Sequence, residues 1–125
     1  MRNMKTYAWI LLSFLLIGCE KKYYDSRDYP RIETLSVQTT ADGAIFQGNF
    51  LVPGKSEIMD HGFTWAFNFP DVNHSDKASL GPLETPGGFS TEIHGLQKGK
   101  EYNVRAYAVS SNYQVYGQNL SFTLK

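Results

Sequence analysis

Apolar and polar residues alternate in short runs along most of this chain, from Ile32 to its last residue, and glycine, proline or asparagine separates the runs. Alternation with a period of two predicts β-strands, because successive side chains of a strand point to opposite faces. The sequence of this region lacks the spacing of an amphipathic helix. The pattern therefore predicts an all-β fold, an immunoglobulin-like sandwich of about seven strands. The predicted strands are residues 32–39, 43–52, 62–67, 77–80, 88–93, 101–110 and 118–124.

Three of these strands place apolar side chains on one face, which predicts the core of the sandwich. The second strand ends at Pro53-Gly54 and the third is broken by Phe69-Pro70, since proline fixes one backbone dihedral and removes a hydrogen-bond donor. The side chains expected to face the core are Ala44, Phe46, Gly48 and Phe50 of the second strand, Phe63, Trp65 and Phe67 of the third, and Leu120, Phe122 and Leu124 of the last.

The beginning of the chain has a different pattern. Arg2 and Lys5 precede an apolar run over residues 8–18, which closes with Leu16-Ile17-Gly18-Cys19. A bilayer-spanning helix needs ~20 apolar residues, and this run has about half that number. A charged start, a short apolar run and a small residue before cysteine are instead typical of a bacterial lipoprotein signal peptide. We therefore predict that residues 1–18 are removed and that Cys19 carries a lipid anchor in the membrane.

Residues 19–31 contain charges of both signs, a proline and no apolar period, which predicts a lipidated N-terminus and tether before a single domain at 32–125. Its tyrosines, Tyr23, Tyr24 and Tyr29, are unusual in a spacer. They either settle at the membrane interface, pack on the flank of the domain or dock on a partner. Glu20 follows the cysteine in place of the aspartate associated with inner-membrane retention in some bacteria. We therefore expect the outer membrane, at its periplasmic face or at the cell surface.

The charge balance narrows the classes of partner. Twelve Lys and Arg residues against twelve Asp and Glu residues give a formal net charge of +0, and loss of Arg2 and Lys5 with the signal peptide makes the mature chain slightly negative. The absence of a basic stripe argues against nucleic acid as a partner. Cys19 is the only cysteine, so a lipidated chain forms no internal disulfide and its core alone must stabilise the fold.

Residues 95–108 contain, in order, a leucine, a glycine-containing turn and a tyrosine that opens a strand. In this order they resemble the fibronectin type III domain. The resemblance covers the whole of 32–125 and is similar in detail to the fibronectin-like repeats of surface lipoproteins of Bacteroidota. The segments that carry it are 62–65, 88–90, 96–108, 116–117 and 120–123.

The resemblance implies roles for two residues. Leu96 would fill the bottom of the core, and the hydroxyl of Tyr102 would bond back across the corner at the start of its strand. The chain departs from the family in its second strand, where Phe46 stands in place of the usual tryptophan, while Trp65 lies in the third strand.

Residues of the types used in catalysis or metal binding do not form a recognisable motif. His61, His74 and His94 lack a ligand-type partner two or four residues away. Residues 71–76 begin like a calcium loop but have Asp76 at the sixth position and Pro82 at the twelfth, so we predict a solvated loop. No nucleophile elbow is present, and the glutamates fall on separate elements. The sequence therefore predicts neither enzymatic activity nor a metal or cofactor.

Surface recognition remains as the expected function. The loops at 53–60 and 110–116 follow the second and sixth strands and should lie at the same end of the sandwich. Their candidate ligand-binding residues are Tyr113, Tyr116, Asn112, Lys55 and Glu57, since tyrosines beside amides and charges stack on and hydrogen-bond a sugar or a peptide. Alternatively, Tyr116 packs over Gly117 as a structural residue. The expected function is an interaction or structural module, such as an accessory subunit that binds a protein of an outer-membrane assembly; the alternative is a carbohydrate- or peptide-binding surface lipoprotein.

Overall fold

The computed structural model describes residues 30–55 and 57–125. The signal peptide, Cys19 and the tether tyrosines lie outside the described residues. The described chain is all-β, and it contains no helix that is long and apolar enough to cross a membrane. Its strands are β1 (Arg31–Thr39), β2 (Ala44–Val52), β3 (Ile58–Ala66), β4 (Asp76–Ser79), β5 (Gly87–Ile93), β6 (Glu101–Ser110), β7 (Gln114–Tyr116) and β8 (Leu120–Thr123).

The strands form two antiparallel sheets that pack as a sandwich, which confirms the predicted fold class. One sheet has the order β1-β2-β5, and the other has the order β4-β3-β6-β7. Strand β8 also belongs to the second sheet, because it pairs with residues 101–104 of β6 while β7 pairs with residues 107–109. A single long strand, β6, thus has two short successive partners along the same edge.

The core lies between the sheets, on the face that the alternation predicts. Ala44, Phe46, Gly48 and Phe50 of β2 are all buried. The ring of Phe46 lies 5.4 Å from that of Phe63, 5.7 Å from that of Trp65 and 5.6 Å from that of Phe122, measured between ring centroids. Phe46 of β2 is therefore at the centre of the aromatic core, and the partly buried Trp65 of β3 packs against it.

Strand β3 differs from its prediction at both ends. It begins at Ile58 and ends at Ala66, whereas the predicted strand covered 62–67. The register of β3 on β6 shifts between Ile58 and Asp60, and such a bulge interrupts the period-two pattern from which strands are recognised. Because the strand ends at Ala66, Phe67 does not join Phe63 in the core and is 54% exposed.

The strand that is additional to the seven predicted ones is β7, which lies in a segment predicted as a loop. Beyond it, the chain leaves β6 because Gly117 packs directly on β1, where a Cβ atom on this glycine would lie 2.5 Å from the amide nitrogen of Thr34. Gly117 still donates to the carbonyl of Ala106 at 2.9 Å. The amide of Ala106 donates instead to the hydroxyl of Thr34, also at 2.9 Å. A β1 side chain therefore supplies the acceptor that the interrupted edge of β6 lacks.

The corner that the resemblance implies is present. Gln97 donates its backbone N–H to the hydroxyl of Tyr102 at 2.9 Å. The ring of Tyr102 stacks on Phe122 with 5.4 Å between centroids. Leu96 packs against the core but is only partly buried. The loop between β5 and β6 is thereby held against the end of the sandwich.

Candidate functional site

The loops proposed from the sequence do lie at one end of the sandwich, because Ile58 pairs with Ser110. Lys55 and Glu57 are exposed, and so is Asn112, whereas Tyr113 is half-buried. The hydroxyl oxygen of Ser110 accepts from the amides of Asn112 and Tyr113 at 3.3 and 3.0 Å and closes the turn. Asn112 and Tyr113 line a shallow depression of about 320 Å³ to which Lys55 and Glu57 do not contribute. The structure therefore brings these candidates to the same end of the sandwich, where Asn112 and Tyr113 line one depression.

Tyr116 is a structural residue. It belongs to β7 rather than to a loop, and its ring centroid lies 3.9 Å from the guanidinium carbon of Arg105. Its hydroxyl accepts from the backbone N–H of Val72 at 3.1 Å. Tyr116 thus holds the β3–β4 loop against the outer face of the five-stranded sheet, and it lies in a strand where the sequence predicted a loop.

Asp60, near the start of β3, also has a structural role. Its carboxylate accepts from the hydroxyl of Tyr107 at 2.7 Å, from that of Ser79 at 2.5 Å and from the amide of Gly81 at 3.0 Å. Partial burial disfavours the charged carboxylate, but these hydrogen bonds outweigh it and hold the pKa of Asp60 below its ordinary value. Burial, together with Asp60, raises the pKa of Tyr107. A carboxylate of lowered pKa and a tyrosine that stays protonated tie β3, β4 and β6 together.

A larger concavity lies at the opposite end of the sandwich, and we call it the aromatic groove. It has a volume of about 790 Å³. The end of β3, the β3–β4 loop, the β5–β6 loop and the start of β6 form its walls. It is lined by Trp65, Ala66, Phe67, Asn68, Phe69, Asp71, His74, Ser75, Asp76, His94, Gly95, Leu96, Gln97 and Tyr102.

Two phenylalanine rings of the groove are exposed yet supported. Phe67 is 54% exposed and Phe69 is 74% exposed. The ring of Phe67 lies 4.8 Å from that of Tyr102, and the ring of Phe69 lies 5.7 Å from the guanidinium carbon of Arg105. Apolar rings of this size usually lie in the interior, so two of them exposed in one groove make this groove the candidate site.

The loop that carries these rings is fastened to the sheet by side chains of β3 and β6. Asn103 donates to the carbonyl of Phe67 at 3.0 Å, and Arg105 donates through Nε to the carbonyl of Pro70 at 2.9 Å. The hydroxyl of Thr64 lies 3.1 Å from the carbonyl of Asp71, as well as 2.9 Å from that of Asp76. The loop is therefore held in place by the sheet, and a ligand that bound there would cost it little conformational entropy.

Acidic and imidazole side chains line the groove. Asp71 accepts from the amide of His74 at 2.8 Å and lies 3.0 Å from its Nδ1. The slight desolvation of Asp71 opposes ionisation, but the hydrogen bonds from Asn73 and His74 hold its pKa below the ordinary value. These bonds form a closed turn within residues 71–75. Residues 30–55 and 57–125 contain no cluster of three metal-ligating side chains.

The second imidazole is paired with the β1–β2 turn. His94 Nδ1 lies 3.1 Å from the carboxylate of Asp42, and Nε2 lies 3.5 Å from that of Glu92. The hydrogen bond with Asp42 and its charge raise the pKa of His94. The same contact lowers the pKa of Asp42. Protonation of His94 therefore strengthens the link between two loops at the groove end.

The aromatic groove and the start of β1 lie at opposite ends of the domain. Arg31, where β1 begins, pairs with Val52 at the end where Ile58 meets Ser110. Strand β1 then extends to Thr39, over nine residues, which corresponds to ~30 Å at about 3.3 Å per residue. Thr39 pairs with Ala44 beside the loop that contributes His94. The candidate loops near 53–60 and 110–116 are therefore at the same end as Arg31, and the groove is remote from it.

One feature of the sequence, a series of aromatic residues at 65, 67 and 69, indicates this groove, but its period of two also predicts a strand. Trp65, Phe67 and Phe69 alternate with small or polar residues, and this alternation resembles a strand face. The proline at position 70 shows that the alternation continues into a loop, where an apolar ring has no sheet to pack under. Aromatic side chains that continue past the end of a strand were thus the available clue.

No protein-family model and no curated protein matches this sequence. The fold is similar to the sensor domain of the anti-sigma factor RsgI4 of Pseudobacteroides cellulosolvens. A short version of that domain matches with a TM-score of 0.58 and 14% identity, over 76% of this chain and 93% of its own length. The solution structure of the domain matches with a TM-score of 0.59 and 15% identity, over 77% of this chain and 75% of its own. At these identities the likeness concerns the fold.

Proposed function

We propose that this chain is a non-catalytic binding module of the bacterial cell envelope, anchored to the outer membrane through a lipid on Cys19. In this proposal residues 1–18 are the signal peptide, residues 19–31 carry the lipid and form the tether, and the remainder is a fibronectin type III-like domain. The strand order and the hydrogen bond of the Tyr102 corner support the kinship with that family. The binding site is the aromatic groove.

The position of the groove is the observation that carries the proposal. Phe67 and Phe69 are exposed on a loop fastened at the end of the domain remote from Arg31. A domain tethered at Arg31 presents that end away from the membrane, where a ligand in the surrounding medium reaches it. The similarity of the fold to a domain that serves as the sensor of an anti-sigma factor supports a role in recognition.

Binding arrays with matched variants test this function. The purified chain is applied to a peptide array and to a glycan array, each with wild type, Phe69→Ala and Tyr113→Ala. We expect ligands that bind wild type and Tyr113→Ala but not Phe69→Ala. Phe69 lines the groove, whereas Tyr113 lines the depression at the other end of the domain. If both arrays are blank and both variants recover a stoichiometric outer-membrane protein from native membranes, the chain is instead a subunit of an assembly.

A further inference from the structure

We infer that the ligand of the aromatic groove is a neutral oligosaccharide, which stacks on the rings of Phe67 and Phe69. The inference rests on the proposed binding function and names the chemical class that the groove recognises. A pyranose ring has one flat face of C–H groups and a rim of hydroxyl groups. It therefore matches a site that combines exposed aromatic rings with hydrogen-bonding side chains around them.

The aromatic component meets this requirement. Phe69 is 74% exposed, and the neighbour that the structure gives its ring is the guanidinium of Arg105 at 5.7 Å. Phe67 contacts Tyr102 on one side and leaves more than half of its surface to solvent. The two rings are separated along the chain by Asn68 alone. Two neighbouring platforms suit consecutive sugar units of a chain better than a single monosaccharide.

The polar component sets the charge of the ligand. Asp71 and Asp76 line the groove, and none of its lining residues is a lysine or arginine. The pKa of Asp71 lies below its ordinary value, so this carboxylate is ionised at neutral pH. A uronate, sulfate or phosphate group in the groove would meet the carboxylates of Asp71 and Asp76, whereas the guanidinium of Arg105 stacks between the rings of Tyr116 and Phe69 and is not part of the lining. Hydroxyl groups, in contrast, donate to carboxylates and both donate to and accept from imidazoles and amides.

The backbone of the groove argues against an extended peptide. A peptide that adds a strand requires unpaired amides and carbonyls along an edge. Two backbone amides of the β5–β6 loop are already used, because Leu96 donates to the carbonyl of Asp42 at 2.9 Å and Gln97 donates to the hydroxyl of Tyr102 at 2.9 Å. This wall of the groove therefore presents side chains to a ligand and not a free strand edge.

The test measures binding of the full-length chain, purified in detergent, by affinity electrophoresis and calorimetry. The probes are a panel of neutral polysaccharides, namely starch, mixed-linkage β-glucan, xylan and galactomannan, with polygalacturonate as the anionic counterpart. We expect at least one neutral polysaccharide to bind and polygalacturonate not to bind. Phe69→Ala should weaken that binding about tenfold, which corresponds to about 1.4 kcal/mol.

Two conservative substitutions separate stacking from general apolar contact. Phe69→Trp keeps a flat ring and should retain binding within about twofold, whereas Phe69→Leu keeps an apolar side chain without a flat face and should lose binding as Phe69→Ala does. Tyr113→Ala, at the opposite end, should bind as wild type does. The high exposure of Phe69 makes these variants stable, and an unchanged melting temperature confirms that they are folded.

Four results would overturn the inference. Equal binding by Phe69→Leu and wild type would show that stacking is not involved, and selective binding of polygalacturonate would contradict the charge argument. A peptide ligand abolished by Phe69→Ala, with no polysaccharide bound, would refute the oligosaccharide while leaving the binding function of the groove intact. Absence of any ligand from both classes would remove the proposed function as well.

Discussion

Thr34→Val tests how the interrupted edge of β6 is satisfied. Thr34 is 1% exposed and its hydroxyl accepts from the amide of Ala106, which is completely buried. Valine has nearly the same shape as threonine, so the substitution removes the acceptor and leaves the packing of β1 in place. The amide of Ala106 then loses its partner without gaining water. An unsatisfied buried donor costs about 1–3 kcal/mol, a sizeable part of a total stability of ~5–15 kcal/mol.

Urea denaturation of the wild type, Thr34→Val and a control, Thr39→Val, measures this cost. Thr39 lies on the same strand but is exposed, so its substitution should change the free energy of unfolding by less than about 0.5 kcal/mol. In addition, hydrogen exchange of the Ala106 amide in Thr34→Val should accelerate more than that of Ala108, which remains paired with β7. If both variants unfold at the wild-type midpoint, the hydroxyl of Thr34 is not what stabilises this edge.

Three further predictions concern the corner, the anchor and the groove end. Tyr102→Phe leaves the amide of Gln97 unpaired and should cost about 1–3 kcal/mol in chemical denaturation; an unchanged midpoint would contradict the role of the corner. Cys19→Ser should move the protein from the membrane fraction to the soluble fraction, because a slightly negative domain has little electrostatic attraction to anionic lipid; sedimentation of the variant with membranes at high salt would refute the anchor. Asp42→Asn should lower the pKa of His94 measured by NMR titration, since Asp42 raises that pKa in the folded state. The contribution of this pair to stability is accordingly present below the unfolded pKa of histidine and lost as the pH rises through the folded value; an unaltered titration in the variant would show that the pair does not form.

The sequence determined the buried face of β2, where the alternation coincides with a complete strand. Ala44, Phe46 and Phe50 of β2 are buried as their spacing predicts, because neighbouring side chains of a strand must point to opposite faces. The corner at Tyr102 was implied by the resemblance of residues 95–108 to the fibronectin type III domain, and its hydrogen bond joins Gln97 to Tyr102. The alternation along a strand is a local property, so local sequence was sufficient to predict the buried face of β2.

Only the tertiary structure decided what covers the outer faces of the sheets. Tyr107 occupies a position of β6 whose side chain points to the outer face of the sheet, and it is nevertheless completely buried. Its hydroxyl donates to the carboxylate of Asp60, 47 residues earlier in the chain. The additional strand β7 depends in the same way on where Gly117 meets Thr34. Strand periodicity records which face a side chain takes, but not which distant loop lies over that face.

The candidate site shows the same division. The sequence identified tyrosines on loops, yet Tyr116 is engaged with Arg105 and Val72, and the exposed rings are those of Phe67 and Phe69. The position of the end of β3 and the anchoring of the following loop by β6 side chains decide whether an aromatic residue enters the core or faces solvent. Those contacts join residues about 35 positions apart along the chain. The alternation of apolar residues therefore determined the sandwich, and long-range hydrogen bonds determined where its exposed aromatic rings lie.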